Sequence, residues 1–236
     1  MSTRIQETAE TERVRAAYSR RAHDDRYAWG NPGQLFMMQQ LERRLLRMLQ
    51  REALLPLARH RILEVGCGSG HFLREMAKWG AIPDRLTGID LLEDRVKVAR
   101  RLCPRGVQIE QMDAAHTSFA TGSFDLVLQF TVFTSILSDE TRGKVAREMR
   151  RVTAPGGCIV WYDFRVGNPS NPDVRAVTRQ ELRRLFPGAR MRIEAATLAP
   201  PLARRLAPVA WWLCSALDSI PLLRTHELAI IRREPS

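Results

Sequence analysis

A mostly parallel β-sheet with helices on both faces is the architecture this sequence predicts, and three observations lead to it. Short apolar runs alternate with amphipathic stretches between residues 61 and 163, the pattern of strands joined through helices rather than hairpins. The first run, Ile62-Leu63-Glu64-Val65, ends in the glycine turn Gly66-Cys67-Gly68-Ser69-Gly70 and passes directly into helix-like His71–Ala77. A second acid, Asp90, closes the next run twenty positions after Gly70, about the helix-plus-strand spacing of a βαβ unit. A chain of 236 residues is long enough for one full α/β core.

Taken in order, residues 7–26 read as a polar helix. Asn31-Pro32-Gly33 starts a second helix, because proline sits well in a first helical turn. Leu35, Phe36, Met38, Leu41, Leu45, Leu46, Met48 and Leu49 then give a 3.6-residue stripe through residue 50. The alternation continues as strand 61–65, helix 70–79, strand 85–90, helix 92–102, strand 107–111, strand 124–129, helix 139–151 and strand 157–163. Thr178-x-x-Glu181 is a capping box opening helix 178–186. Met191–Leu198 and His226–Arg232 read as a last pair of strands. Between them, Val209, Trp212, Leu213, Ala216, Leu217 and Ile220 fall on one face at helical spacing, and Pro200, Pro201, Pro208 and Pro221 mark the segment as an inserted cap. The expected organisation is a single domain, 1–236: a helical cap over 1–59, a core over 60–198, a helical insertion over 199–224, and a last strand and tail over 225–236.

Composition narrows the class. No secretory signal pattern opens the sequence, and no apolar run reaches the ~20 residues that span a bilayer. Cys67, Cys103, Cys158 and Cys214 are scattered, and His23, His60, His71, His116 and His226 form no paired ligand spacing, so no metal and no disulfide framework are expected. The cytoplasm is the expected compartment. The formal charge is +11, which raises nucleic acid or anionic membrane as partners. Of 37 lysines and arginines, however, only Lys78, Lys97 and Lys144 are lysine. That skew reads as compositional bias. The arginines are spread along the helices rather than gathered in a stripe, so nucleic acid is not an expected partner.

The glycine turn carries the chemistry. Glycine admits positive φ and close approach of a ligand to the backbone, and a carboxylate such as Asp90 accepts two hydroxyl hydrogen bonds at once, which suits a cis-diol. A dinucleotide oxidoreductase shares these features, but the spacing here is G-x-G-x-G rather than G-x-G-x-x-G. Glu64 suits a ligand with a cationic amino acid end, whereas a pyrophosphate prefers bare N–H groups. Glu64-x-Gly66-x-Gly68-x-Gly70 resembles motif I of the class I S-adenosylmethionine (SAM)-dependent methyltransferases. Leu86-Thr87-Gly88-Ile89-Asp90 resembles that family's second strand, Gln111-Met112-Asp113-Ala114 the loop after its third, Phe124–Leu128 its fourth, and Arg151-Val152-x-x-Pro155-Gly156-Gly157 the turn before its fifth. The resemblance implies a Rossmann-like sheet of seven strands, mostly parallel with an antiparallel last strand, N-terminal helices over the ligand mouth, and SAM as cofactor. It assigns cofactor binding to Glu64, Gly66, Cys67, Gly68, Gly70, Asp90, Leu91, Asp113 and Ala114, with Asp113 on the adenine amino group and Gln129 facing the sulfonium.

The acceptor side is less defined. Many small-molecule methyltransferases of this fold carry a histidine after strand four, but Gln129–Ile136 contains none. Asp163, at the ligand end of strand five, is the preferred base or substrate anchor, and Arg165 an acid-binding group, against a mutual ion pair between them. His23 is a second candidate base, against a surface role. Tyr18 and Tyr27 are expected over the methionine portion of SAM, Phe133 in the pocket wall or the core, and Asn168-Pro169-x-Asn171-Pro172-Asp173 in a substrate loop. Trp212 is expected on a hydrophobic lid or a membrane- or lipid-contacting surface, against a helix packed on the sheet edge or on the N-terminal helices. The expected activity is methyl transfer to a small molecule, at an oxygen of a secondary metabolite, sugar or lipid-linked intermediate. The alternatives are C- or N-methylation of a quinone-like lipid at the membrane surface, and a SAM-binding partner subunit without turnover.

Overall fold

The computed structural model describes residues 2–21, 25–167 and 171–233, with side chains left aside at 2–8, 21 and 27. Two helices come first, α1 (Ser2–Arg21) and α2 (Pro32–Arg51). The alternating part follows: β1 (Ile62–Val65), α3 (His71–Lys78), β2 (Leu86–Asp90), α4 (Glu93–Leu102), β3 (Gln108–Gln111), β4 (Phe124–Phe130), a short α5 (Val132–Ser135), α6 (Asp139–Val152) and β5 (Thr153–Phe164). It closes with α7 (Arg179–Leu185), β6 (Arg190–Leu198), α8 (Pro200–Leu206), α9 (Trp211–Asp218) and β7 (Arg224–Arg232).

The seven strands pair in the order β3-β2-β1-β4-β5-β7-β6. β1, β2, β3, β4 and β5 run parallel, and β7 runs antiparallel to both β5 and β6. Every residue of β1 is buried, as expected for a strand covered on both faces. One face packs Leu41, Leu45, Phe72, Leu73 and Val96 from α2, α3 and α4 against Ile62, Leu126 and Leu128. The other packs Val145, Met149 and Leu182 from α6 and α7 against Leu63, Val127 and Trp161. Each such buried aliphatic contributes about 1.5–3 kcal/mol. The chain leaves β1 toward β2 and β3, then crosses to β4, so the sheet reverses its winding beside β1, where open α/β sheets bind ligands.

The helical starts follow local chemistry. Asn31 Oδ1 accepts from the N–H groups of Gly33 and Gln34 at 3.0 and 3.2 Å, with Pro32 in the first turn of α2; such a cap stabilises a helix by about 1 kcal/mol. Thr178 and Ser138 cap α7 and α6 in the same way.

The insertion departs from the sequence expectation. It is two short helices rather than one amphipathic helix, because Pro208 comes one residue after the α8 cap Ala207 and Ala210, at φ −149° and ψ 74°, leaves helical backbone. The face also differs: Val209 and Trp212 are 81% and 74% exposed, while Cys214 and Asp218 turn inward. Asp218 sets this rotation. Its carboxylate accepts from the Leu198 N–H at 3.0 Å and pairs with Arg44 of α2, and its backbone carbonyl takes the Arg224 guanidinium at 2.6 Å. The inward side, Ala203, Ala207 and Cys214, forms a small third core with Phe36, Met37 and Leu198. α8 meets α2 at Gly33, where a Cβ would lie 2.5 Å from Arg204 Cα.

Candidate active site

A cavity of about 250 Å³ opens at the carboxyl ends of β1, β2, β3 and β4. The turn after β1 contributes Gly66 and Gly68, the end of β2 Asp90, Leu91 and Leu92, the loop after β3 Met112, Asp113, Ala114 and Ala115, and the segment after β4 Phe130 to Val132. Gly68 sits at φ +55°, and a Cβ there would face open space with only Arg95 Nη1 within 4 Å, at 3.7 Å. A side chain at that position would therefore fill the space beside the backbone that a ligand needs.

The acids hold this turn and still offer free lone pairs. Asp90 Oδ2 accepts from the Gly68 N–H at 2.8 Å and Oδ1 from the Leu92 N–H at 2.9 Å. A carboxylate has about four acceptor positions, so two bonds leave capacity toward the cavity. Burial raises the Asp90 pKa, and the Leu92 and Gly68 N–H groups work against it. Asp113 Oδ1 accepts from the Ala115 N–H at 2.8 Å, an Asx turn that fixes the loop after β3. Glu64 is buried behind the glycine turn, and its Oε2 has no partner. Burial pushes its carboxyl well above the usual range, against the Leu73 N–H.

A family model described as "Methyltransferase domain" matches residues 62–157, the stretch that carries the glycine turn, Asp90 and Asp113. Residues 62–157 form a methyltransferase domain. A malonyl-[acyl-carrier protein] O-methyltransferase of Legionella pneumophila is 34% identical over 118 residues, 49% of this chain and 40% of that protein. A ubiquinone biosynthesis O-methyltransferase of Xanthomonas oryzae is 37% identical over 109 residues, 44% of this chain and 43% of that protein. The matches thus span about two fifths of the length of these relatives. The crystal structure of a SAM-dependent methyltransferase from Archaeoglobus fulgidus superposes with a TM-score of 0.58 at 16% identity, over 84% of this chain and 98% of that one, which speaks to the fold alone.

SAM is the cofactor of such a methyltransferase domain, and the residues present fit it. The open space at Gly68, the uncommitted lone pairs of Asp90 and the unpartnered buried Glu64 Oε2 match a ligand with a ribose diol and a cationic end. Of the residues expected to bind the cofactor, Gly66, Gly68, Asp90, Leu91, Asp113 and Ala114 line the cavity. The other four, Glu64, Cys67, Gly70 and Gln129, do not, and Glu64 stays buried behind the glycine turn. Cys67 turns its thiol into the core, against which a Cβ at Gly88 would lie 2.9 Å away. Gly70 caps α3 at φ +75°, where a Cβ would strike Cys103 Sγ at 2.5 Å, so it lets α3 pack on α4. Gln129 is fully buried; its Nε2 donates to the Tyr162 carbonyl at 3.3 Å and its Oε1 accepts from the Val132 N–H at 3.0 Å. It shapes the turn after β4 from below.

The acceptor-side expectations need more correction. Asp163 is wholly buried and accepts from the N–H groups of Phe133 and Thr134, both at 3.1 Å, and from the Thr134 hydroxyl. It anchors the start of α5 and contributes no cavity surface. Burial pushes its carboxyl up to about 8. Arg165 donates to the carbonyls of Arg224 and Pro221 at 2.9 and 3.0 Å, so it ties β5 to the insertion and is aimed at neither an acidic ligand nor Asp163. Phe133 is core, with its ring centroid 6.4 Å from that of Phe186. Trp212 projects from α9 into solvent and does not line the cavity. His23, the Tyr27 side chain and the Asn168-Pro169 start of the proline-rich loop lie outside the described residues.

Tyr18 does line the cavity, with its hydroxyl 3.1 Å from Ser135 Oγ and the Arg95 guanidinium 5.1 Å from its ring centroid. Glu10, Thr11 and Val14 of α1 line it too. These were missed, although the spacing of 10/11, 14 and 18 is that of one helical face. Glu10 Oε1 accepts from the Leu137 N–H at 2.7 Å, and Arg13 bridges Glu10 and the Ser135 carbonyl. Burial raises the Glu10 carboxyl, but Arg13 and the Leu137 N–H outweigh it and hold the group below its usual value.

Proposed function

We propose that the chain transfers the methyl group of SAM to an oxygen of a small, uncharged or mono-anionic molecule. One observation carries this reading: the cavity wall formed by α1 and the segment after β4 is Glu10, Thr11, Val14, Tyr18, Thr131, Val132, Ser135 and Ile136, and Arg95 is the one cation among the described lining residues. A polyanionic acceptor such as nucleic acid needs a row of cations; this wall offers hydroxyls, apolar surface and one carboxylate already held by Arg13. In the same reading Asp90 takes the ribose diol, Asp113 the adenine edge, and Glu64 the amino acid end.

When bound, SAM supplies an electrophilic methyl on sulfur, which leaves the protein to bind, orient and exclude water. α1 closes the cavity through Glu10, Arg13 and Tyr18. No histidine faces the cavity among the described residues, and Asp163 is sealed in the core. Glu10 already accepts from Arg13 and Leu137, so it is a poor proton acceptor. An acceptor oxygen that ionises on its own, a carboxylate or an acidic phenol or quinol, needs no base and fits best among secondary-metabolite, sugar and lipid-linked oxygens. The two relatives above are named O-methyltransferases, which supports oxygen over carbon or nitrogen.

Incubation with SAM and separate pools of carboxylates, phenols, quinols and sugars, with S-adenosylhomocysteine quantified by mass spectrometry, tests this. Turnover is expected with the first three. Turnover with sugars alone removes the acidic-oxygen reading, and tight SAM binding with no turnover in any pool leaves a partner subunit.

A further inference from the structure

We infer that the α8–α9 insertion is a docking surface for an anionic lipid bilayer. Ten large hydrophobic residues are exposed among those described, and five of them, Val209, Trp211, Trp212, Ile220 and Leu222, fall within this one segment. Val209, Trp212 and Leu222 are 81%, 74% and 87% exposed. This is not the residue of a poorly packed helix. The inward side is complete, with Ala203, Ala207 and Cys214 at 0–6% exposure, and the Arg44–Asp218 pair fixes α9 on α2. The outward apolar groups therefore form a second, deliberate-looking face on a rigid base. None of them lines the cavity, so a lid role does not account for them.

Charge and chemistry select the occupant. The acid of the insertion, Asp218, is 3% exposed and engaged by Arg44 and Arg224. What the segment and the adjoining face of α2 present to solvent is basic: Arg205, Arg43 and Arg47 are exposed. Paired tryptophans with an apolar body and a polar N–H, beside aliphatics and arginines, match the boundary between acyl chains and anionic headgroups. No helix among the described residues is long and apolar enough to cross a membrane, so the contact is peripheral. The insertion leaves β6 at Leu198 and returns to β7 at Arg224, which pair with each other. β6 runs alongside β5 in direction, so this is the carboxyl edge of the sheet, where the cavity also opens. Docking brings that edge to the bilayer.

The test uses the whole chain without any acceptor, so it stands or falls separately from methyl transfer. Flotation with vesicles of phosphatidylcholine alone, and with about 30 mol% phosphatidylglycerol, is expected to show association with the anionic set. Association weakens between about 0.1 M and about 1 M salt, as the Debye length shrinks from ~10 to ~3 Å. Trp212→Ser combined with Leu222→Ser lowers partitioning by about tenfold or more, with SAM affinity and melting temperature unchanged. Arg205→Ala lowers binding to anionic vesicles and leaves the neutral set as before. Absence of association by the parent with either vesicle overturns the inference. So does a parent dimer in sedimentation equilibrium that the double substitution dissolves, which assigns the ridge to a second copy, and so does a fall in SAM affinity in the double variant.

Discussion

Asp90 and Asp163 are both acids at the ends of parallel strands, yet only one reaches the cavity. Asp90 follows Ile89 at the end of β2 and turns over the glycine loop to hold the Gly68 N–H. Asp90→Ala is expected to weaken SAM by about 1.5–3 kcal/mol, the range for hydrogen bonds to a charged group, as read by titration calorimetry. Asp163 lies two residues beyond Trp161 along β5 and so shares its buried side of the sheet, and its strand-end position points it under α5. Its free carboxyl releases a proton near its ordinary value of about 3.9, whereas burial holds the folded group to about 8. Between those values the folded state binds more protons, so stability falls as pH rises and levels off above about 8. Urea unfolding across that range is expected to show the slope in the parent, and Asp163→Asn is expected to flatten it. The sequence reveals which acids close strands, because spacing carries that; it does not reveal which face a strand-end side chain takes.

Elements show the same division. The parallel strands and their helices are legible because their periods of 2 and 3.6 are local. α1 begins and ends earlier than its polar pattern indicates, α5 is too short to have a period, and the insertion breaks in two. α1 acts as a latch, since Glu10 accepts from the Leu137 N–H and Arg13 reaches the Ser135 carbonyl. Glu10→Ala strands that N–H and leaves Arg13 with the Ser135 carbonyl alone, a loss of about 1–3 kcal/mol. It is expected to speed SAM release by roughly five- to 150-fold in stopped-flow measurements. The seam between α2 and α8 depends on Gly33, where added side-chain volume meets Arg204 backbone. Gly33→Ala is expected to destabilise the fold by about 1–3 kcal/mol, the cost of overpacking, with SAM affinity kept. Denaturant midpoints and calorimetry on one sample separate the two effects. No local pattern announces this crossing, because it joins residues far apart in sequence.

For the whole molecule, the family and its sheet were readable because five ordered motifs repeat a topology, whereas the acceptor depends on loops and on α1, where side-chain direction is a tertiary property. The cofactor reading has a global consequence. A ligand that binds only the folded state adds about 2.7 kcal/mol at a hundredfold excess over its dissociation constant. For a chain of this size that raises the melting temperature by about 5–10 °C. Differential scanning fluorimetry is expected to show that shift with SAM and none with NADH; a shift with NADH returns the dinucleotide reading.

The position of β7 bears on how this molecule is made. It is the last of the seven strands in sequence, yet it lies between β5 and β6, and Leu228 to Ile231 are buried in the middle of the sheet. As the chain leaves the ribosome, β5 therefore keeps an open hydrogen-bonding edge and β6 has no neighbour until residues 224–232 emerge. Long-range pairing of this kind is slow, and unpaired edges invite wrong partners. Arg224 also bonds the Asp218 carbonyl, so the same late step that closes the sheet seats the insertion on α2. Closure of the sheet and the shaping of the exposed ridge thus converge on one event, the arrival of β7.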